Sequence, residues 1–172
     1  MFNCIQGMDA LQEWLVDHQL TTSSIDTDTY EPMGDIIVKV ANAPLTNITL
    51  SKELVPNVID ELPILAVLAT ACQGTFTVRD AKELRVKESD RIDGICRLVT
   101  VLGGRIQELD DGFILEGGCT PTDFNYDSHF DHRLAMSATI AAYAYGVSGT
   151  VEGADSIATS FPNFFNILNL DS

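Results

Sequence analysis

The chain has 172 residues, is 45% hydrophobic and 20% charged, and carries a formal net charge of −15; this is enough for about one domain with a real core and excludes global disorder. No Lys or Arg precedes Lys39 and none follows Arg133, so both ends would repel nucleic acid or an anionic membrane, and neither is expected as a partner. Cys4, Cys72, Cys96 and Cys119 show no C-x-x-C spacing, the start Met1-Phe2-Asn3-Cys4 has no basic segment, and the longest apolar run is interrupted by Pro63. Reduced thiols, a cytoplasmic setting and no membrane anchor are the expectation.

From Met8 to Leu20 an apolar stripe at Leu11, Trp14 and Leu15 predicts a helix, with strands following at 21–27 and 34–40. Trp14 and His18, at helical spacing beside leucines, read as core or boundary residues. Asp60 to Cys72 is almost wholly apolar and predicts a helix capped by Asp60, with Pro63 in its first turn; Gly74 and a β-branched strand at 75–79 come next. Ser89 to Leu102 is of another kind, with one apolar stripe at Ile92, Ile95, Cys96, Val99 and Leu102. It leads through Gly103-Gly104 into a hairpin of strands at 105–109 and 112–116, joined at Asp110-Asp111-Gly112. Asp131 to Tyr145 then repeats the first pattern: nearly all apolar, begun by Asp and ended by glycine before a strand at Gly149-Thr150-Val151. Helices apolar all round are expected to be buried on every side. The repeating unit is therefore buried helix, strand, amphipathic helix and hairpin, in an α/β chain.

Six of the ten basic residues fall between Arg79 and Arg97, centred on Arg85-Val86-Lys87-Glu88-Ser89-Asp90-Arg91. Arginine and lysine there, with Ser89 placed to cap the following helix, suit an anionic ligand. A mixed-charge run alone is more often a solvated, salt-bridged face. Its company decides the matter. Ile59-Asp60-Glu61-Leu62-Pro63, Glu83 to Arg91, Asp131-His132-Arg133-Leu134-Ala135-Met136 and Thr159-Ser160-Phe161-Pro162 resemble, in order and spacing, the second half of the 5-enolpyruvylshikimate-3-phosphate synthase family, over nearly the whole chain from about Gly34 onward.

That resemblance implies a fold of two similar domains, each built from β-α-β-α-β-β units with buried helices side by side and their N-termini toward the interdomain cleft. The chain corresponds to most of the second (C-terminal) domain: about 1–45 the end of one unit, about 46–118 a second, about 119–172 a third, and the first domain absent. The implied reaction belongs to the shikimate pathway of aromatic amino-acid biosynthesis. It moves the enolpyruvyl group of phosphoenolpyruvate onto the 5-hydroxyl of shikimate 3-phosphate, releasing phosphate, with no metal or organic cofactor. By position, Asp60 matches the carboxylate that deprotonates the acceptor hydroxyl. Glu88 matches the carboxyl that exchanges a proton with the methylene carbon, with Lys87 and Arg91 as cationic neighbours that keep it charged until substrate arrives. Lys87 matches a residue near the acceptor oxygens and leaving phosphate, while Arg91 and Arg133 match the arginines that grip phosphoenolpyruvate, a task suited to a planar fork. Asp131 and His132 are expected in supporting roles; His132, with His129 three residues earlier, reads as an orienting group and not as a metal ligand.

Two departures are visible. The chain has Ala158 before Thr159-Ser160-Phe161-Pro162 where many members carry Lys, and Glu83 where some carry Asn; members with low sensitivity to glyphosate read similarly at both places. The sister family that transfers enolpyruvyl to a UDP-sugar shares the fold, but its reactive cysteine belongs to the other domain. A non-catalytic lone domain or remnant, serving as an interaction module, is the alternative. Retention of Asp60, Lys87, Glu88, Arg91 and Arg133 together argues against it, since core packing requires no such set. The fragment alone is expected to be inactive.

Overall fold

A computed structural model describes residues 46–170 and the backbone of two earlier strands, β1 (Thr21–Asp26) and β2 (Met33–Ile37). The helix predicted from Met8 to Leu20 lies outside the described residues. The chain divides into two compact units, residues 1–44 and 45–172. In the first, β1 and β2 pair antiparallel, with Thr21 opposite Ile37 and Asp26 opposite Met33, as two predicted strands in sequence should.

The second unit begins with β3 (Ile48–Thr49), the short α1 (Val55–Val58) and a 3-10 turn at Ile59–Glu61. There follow α2 (Leu62–Ala71), β4 (Thr75–Val78), a 3-10 turn at Lys82–Val86, α3 (Arg91–Val101), β5 (Arg105–Leu109) and β6 (Gly112–Glu116). This is the β-α-β-α-β-β order. Its four strands form one sheet in the order β3-β4-β6-β5, with β3 parallel to β4 and the other neighbours antiparallel. A β-α-β segment comes next: β7 (Phe124–Asp127), α4 (His132–Tyr145) and β8 (Gly149–Glu152), the two strands pairing in parallel. A 3-10 turn at Ala154–Thr159 and α5 (Phe164–Leu168) complete the described chain.

The hairpin forms where alternation and the Asp-Asp-Gly turn predict it, with Leu109 opposite Gly112. Ile92, Ile95, Cys96, Val99 and Leu102, the stripe of α3, are all buried, in one core with Leu62 and Ala66 of α2, Val78 of β4, Phe113 and Leu115 of β6, and Leu134 and Ala138 of α4. Each fully buried Leu, Ile or Phe of this set contributes about 1.5–3 kcal/mol, so burial is what holds the three helices together. Gly94 permits their close approach: a Cβ there would come within 2.3 Å of Leu134 Cδ1, and the Tyr126 hydroxyl donates to the Gly94 carbonyl at 3.0 Å. Burial, with Glu108 adding to it, pushes the Cys96 thiol up to about 12, so it packs as a neutral apolar group.

Two expectations need correction. The apolar helices α2 and α4 are not buried on every side, since Leu68 and Tyr143 are exposed; each buries only the flank turned to the core. Asp60 does not cap α2, which starts two residues later with Glu61 at the N-cap and no side-chain cap bond. Pro63 tolerates that start, because the first helical N–H groups need no intrahelical partner. Asp60 sits instead in the preceding 3-10 turn, with its carboxylate free for other partners. No helix among the described residues is long and apolar enough to cross a membrane.

Candidate active site

Three segments bring charge to one place: the turn before α2 with Asp60 and Glu61, the loop before α3 with Lys87 and Glu88, and the start of α4 with Asp131 and Arg133. Arg91, the first residue of α3, joins them. It is 1% exposed, and its guanidinium is filled: Nε donates to Asp131 Oδ2 at 2.8 Å, Nη1 to Asp60 Oδ1 at 2.8 Å and Nη2 to Glu88 Oε2 at 2.5 Å. A planar fork reaching three carboxylates from three segments fixes their separation.

Asp131 is fully buried and serves both the helix and the site. Its Oδ1 accepts the Arg133 and Leu134 backbone N–H groups at 3.0 and 3.2 Å, capping α4, while Oδ2 accepts from Arg91 and, at 3.1 Å, from the Ser89 hydroxyl. Burial by itself would raise its pKa. The Arg91 hydrogen bond and charge, with the Leu134 N–H and Ser89, outweigh that and hold the carboxyl below the usual aspartate range. Ser89 thus does not cap α3, as the sequence had suggested; Asp90 does, accepting the Asp93 N–H at 3.1 Å. Both residue types can cap a helix, and the ion pairing around Asp131 draws Ser89 away.

Arg133 donates through Nη1 to the Asp60 carbonyl at 3.0 Å and to Glu61 Oε1 at 3.2 Å, and its Nη2 stands 3.8 Å from Asp60 Oδ2. Lys87 Nζ lies 2.8 Å from Glu83 Oε1 and 3.6 Å from Asp60 Oδ1. Its pKa is raised, first by the Glu83 hydrogen bond, with Asp60 adding to the effect against burial. Asp60, Lys87, Glu88, Arg91, Asp131 and Arg133 are therefore brought within one cluster of hydrogen bonds and ion pairs. His132 is half-buried at the first position of α4 and takes no part in the cluster's bonds. His129 pairs with Asp127 at 3.3 Å, outside it.

Sequence reading missed Glu61 and Glu83. The i,i+4 spacing of Glu83 and Lys87 was a usable signal for the second. Nothing local marks Glu61, whose partner Arg133 is 72 residues away. It also expected Lys87, Arg91 and Arg133 to face the substrate's anionic groups. Instead five carboxylates, of Asp60, Glu61, Glu83, Glu88 and Asp131, surround the three cations Lys87, Arg91 and Arg133. An incoming anion must compete with internal carboxylates for these donors. The carboxylates best placed to be displaced are the exposed ones: Glu83 is 64%, Glu88 52% and Asp60 40% exposed, against none for Asp131. Oriented N–H groups and dipoles at the starts of α3 and α4 favour negative charge at this end.

Paired carboxylates beside arginine forks are able to move protons and to hold anions. Comparison with known proteins points the same way. A protein of Roseiflexus sp. strain RS-1 named 3-phosphoshikimate 1-carboxyvinyltransferase is 38% identical over 162 residues, which is 94% of this chain and 36% of that protein. One of the same name from Carboxydothermus hydrogenoformans is 46% identical over 140 residues, 80% of this chain and 32% of its own length. The chain thus spans about a third of the length of the curated relatives it matches. The solved structure of EPSP synthase from Acinetobacter baumannii superposes with a TM-score of 0.78 at 31% identity, over 94% of this chain and 38% of that one. The family model for EPSP synthase (3-phosphoshikimate 1-carboxyvinyltransferase) matches residues 10–168, and the chain belongs to that family.

Proposed function

We propose that this chain is part of an enzyme of aromatic amino-acid biosynthesis that transfers the enolpyruvyl group of phosphoenolpyruvate to the 5-hydroxyl of shikimate 3-phosphate. The chain supplies the second-domain wall of a cleft in a cytoplasmic protein. The observation that carries this reading is the Arg91 guanidinium, which ties Asp60, Glu88 and Asp131 into one cluster at 2.5–2.8 Å, in a chain of this family. Asp60 takes the proton of the attacking hydroxyl as its oxygen bonds to C2 of phosphoenolpyruvate, and Glu88 delivers a proton to the methylene carbon. Phosphate then leaves, the new methyl group returns a proton, and the double bond is restored. Lys87 steadies the departing phosphate. Arg133 leaves Glu61 to hold the substrate's anionic groups, and Asp131 with Arg91 keeps the two acid–base carboxylates apart and in place. Arg91, matched in sequence to an arginine that grips phosphoenolpyruvate, is read here as positioning because its guanidinium is 1% exposed and filled by three carboxylates; Asp131 also acts by positioning, and His132 has no assigned step.

The test is phosphate release from both substrates by the purified chain, with and without a separately made first domain of a family member. Turnover is expected only with the first domain, because without it the cleft lacks a wall and water enters. In that mixture Asp60→Ala or Glu88→Gln should lower kcat by about 10²- to 10⁴-fold with a much smaller change in KM. An Asp60→Ala variant that raised KM alone would remove its role as base. Clear turnover by the chain alone would overturn the two-domain reading.

A further inference from the structure

The segment that presents Lys87 and Glu88 is four residues long, Val86 to Ser89, and is framed by two residues of opposite charge, Arg85 and Asp90. Arg85 Nη1 lies 2.9 Å from Asp90 Oδ2 and 2.6 Å from Glu108 Oε1. Its Nη2 donates to the Leu109 carbonyl at 2.6 Å and its Nε to the Asp110 carbonyl at 3.2 Å. One side chain thus joins the two ends of the loop and ties both to the turn of the β5–β6 hairpin. The turn is itself held. The Ala81 N–H donates to the Asp111 carbonyl at 2.8 Å, and the Asp111 carboxylate accepts from Arg79 at 2.9 Å and from the Asp80 N–H at 3.0 Å. Gly112 lets it lie flat on the end of β4, since a Cβ there would sit 2.1 Å from the Val78 carbonyl oxygen. Asp90 meanwhile spends its other oxygen on capping α3.

The loop closed in this way bows outward. Val86, 79% exposed, touches no core, so nothing apolar fixes the segment. Lys87, Glu88 and Ser89 turn back to Glu83, Arg91 and Asp131.

We propose that Arg85 is a positioning residue, a clamp that closes the loop 86–89 at its base and holds Lys87 and Glu88 in reach of the reacting atoms while touching none of them. As a device for catalysis, this rests on the proposed function above. The physical reason is that a four-residue segment with no apolar anchor, held inward only by the polar contacts of Lys87, Glu88 and Ser89, retains conformational freedom, and joining its ends to a fixed turn removes much of it. Exposed ion pairs add little to stability, whereas a displacement of about 1 Å in a catalytic group can cost about 10²-fold in rate. The clamp should therefore be visible in rate and in local order more than in global unfolding.

Arg85→Gln and Arg85→Lys, prepared in this chain, test it through two measurements. The first is backbone hydrogen exchange of the chain alone: amides of residues 86–90 should exchange faster in Arg85→Gln, with those of α4 unchanged. The second is turnover in the presence of the first domain. There kcat should fall by about 10- to 100-fold in Arg85→Gln with KM for phosphoenolpyruvate near its wild-type value, and Arg85→Lys should recover part of it. Asp90→Asn combined with Arg85→Gln should lose less than the two single losses together, because both break one closure. Unchanged exchange at 86–90 overturns the clamp, and so does full turnover in Arg85→Gln. If the wild-type mixture shows no enolpyruvyl transfer, the functional reading fails by itself, and the exchange measurement still decides whether Arg85 orders the loop. Should Arg85→Gln not fold, Arg85→Lys and Asp90→Asn carry both measurements.

Discussion

The helices α2 and α4 are tied to each other at both ends, and the two ties are chemically opposite. At the N-terminal ends, Arg133 of α4 reaches the Asp60 carbonyl and Glu61 ahead of α2, beside the buried Arg91–Asp131 pair. At the C-terminal ends the tie is neutral: Thr70 Oγ1 and the Tyr145 hydroxyl share a hydrogen bond at 2.7 Å, and the Thr70 carbonyl accepts the Gly118 and Cys119 N–H groups at 2.9 and 3.2 Å. Backbone N–H groups suit the electronegative end of a helix, and carboxylates the electropositive end. Both ties hold the same helices, but only the charged one holds exposed groups that can change partners. The difference teaches where function sits. Packing needs only the cheap neutral bond, so a buried charge network at one end marks a site.

The sharpest way to break the comparison is Arg91→Ala. It leaves Asp131 buried without its counterion, and loss of one partner of a buried pair costs about 3–5 kcal/mol; urea unfolding of the purified chain measures it. Acid then sharpens the result. In the wild type Asp131 has a lowered pKa, so its contribution is fully present above the ordinary aspartate value of about 3.9 and is lost as pH falls through the lower folded value. In Arg91→Ala, burial without a partner raises the pKa, and protonation relieves the folded state. The stability gap between the two proteins should therefore narrow as pH is lowered from 7 toward 4. A gap independent of pH would show that another group is the partner. At the neutral end the smallest effect is expected: Thr70→Val removes the hydroxyl's two hydrogen bonds, to the Val67 carbonyl at 2.6 Å and with Tyr145 at 2.7 Å, and should cost about 0.5–1.5 kcal/mol for each with no change in the acid slope. If it cost as much as Arg91→Ala, the two ends would not differ as described.

Much of this architecture was legible because period and turn chemistry agree locally. The stripe of α3 and the Asp-Asp-Gly hairpin need no distant information, and the Asp131 cap and left-handed Gly146 follow from residue types beside an apolar run. The site was legible in membership and not in arrangement. Arg91 reads as a surface cation in sequence; its burial depends on carboxylates 31 and 40 residues away. Asp60 reads as a cap because Asp before an apolar run commonly is one, and the 3-10 turn that frees it depends on how the chain enters α2. Exposure of Leu68 and Tyr143 could not be read, since a helix with little amphipathicity does not say which flank it shows.

Asp131 leaves natural selection no separate handles. One of its oxygens starts α4 and the other holds Arg91 and Ser89, so the same four-atom group is needed by a chain that must merely fold and by one that must also react. Asparagine would set its amide donors against either the helix N–H groups or the guanidinium, and glutamate would force an extra methylene into a site with no free surface. A saturation library at this position, screened only for folded protein in cells, should return aspartate before any substrate is offered.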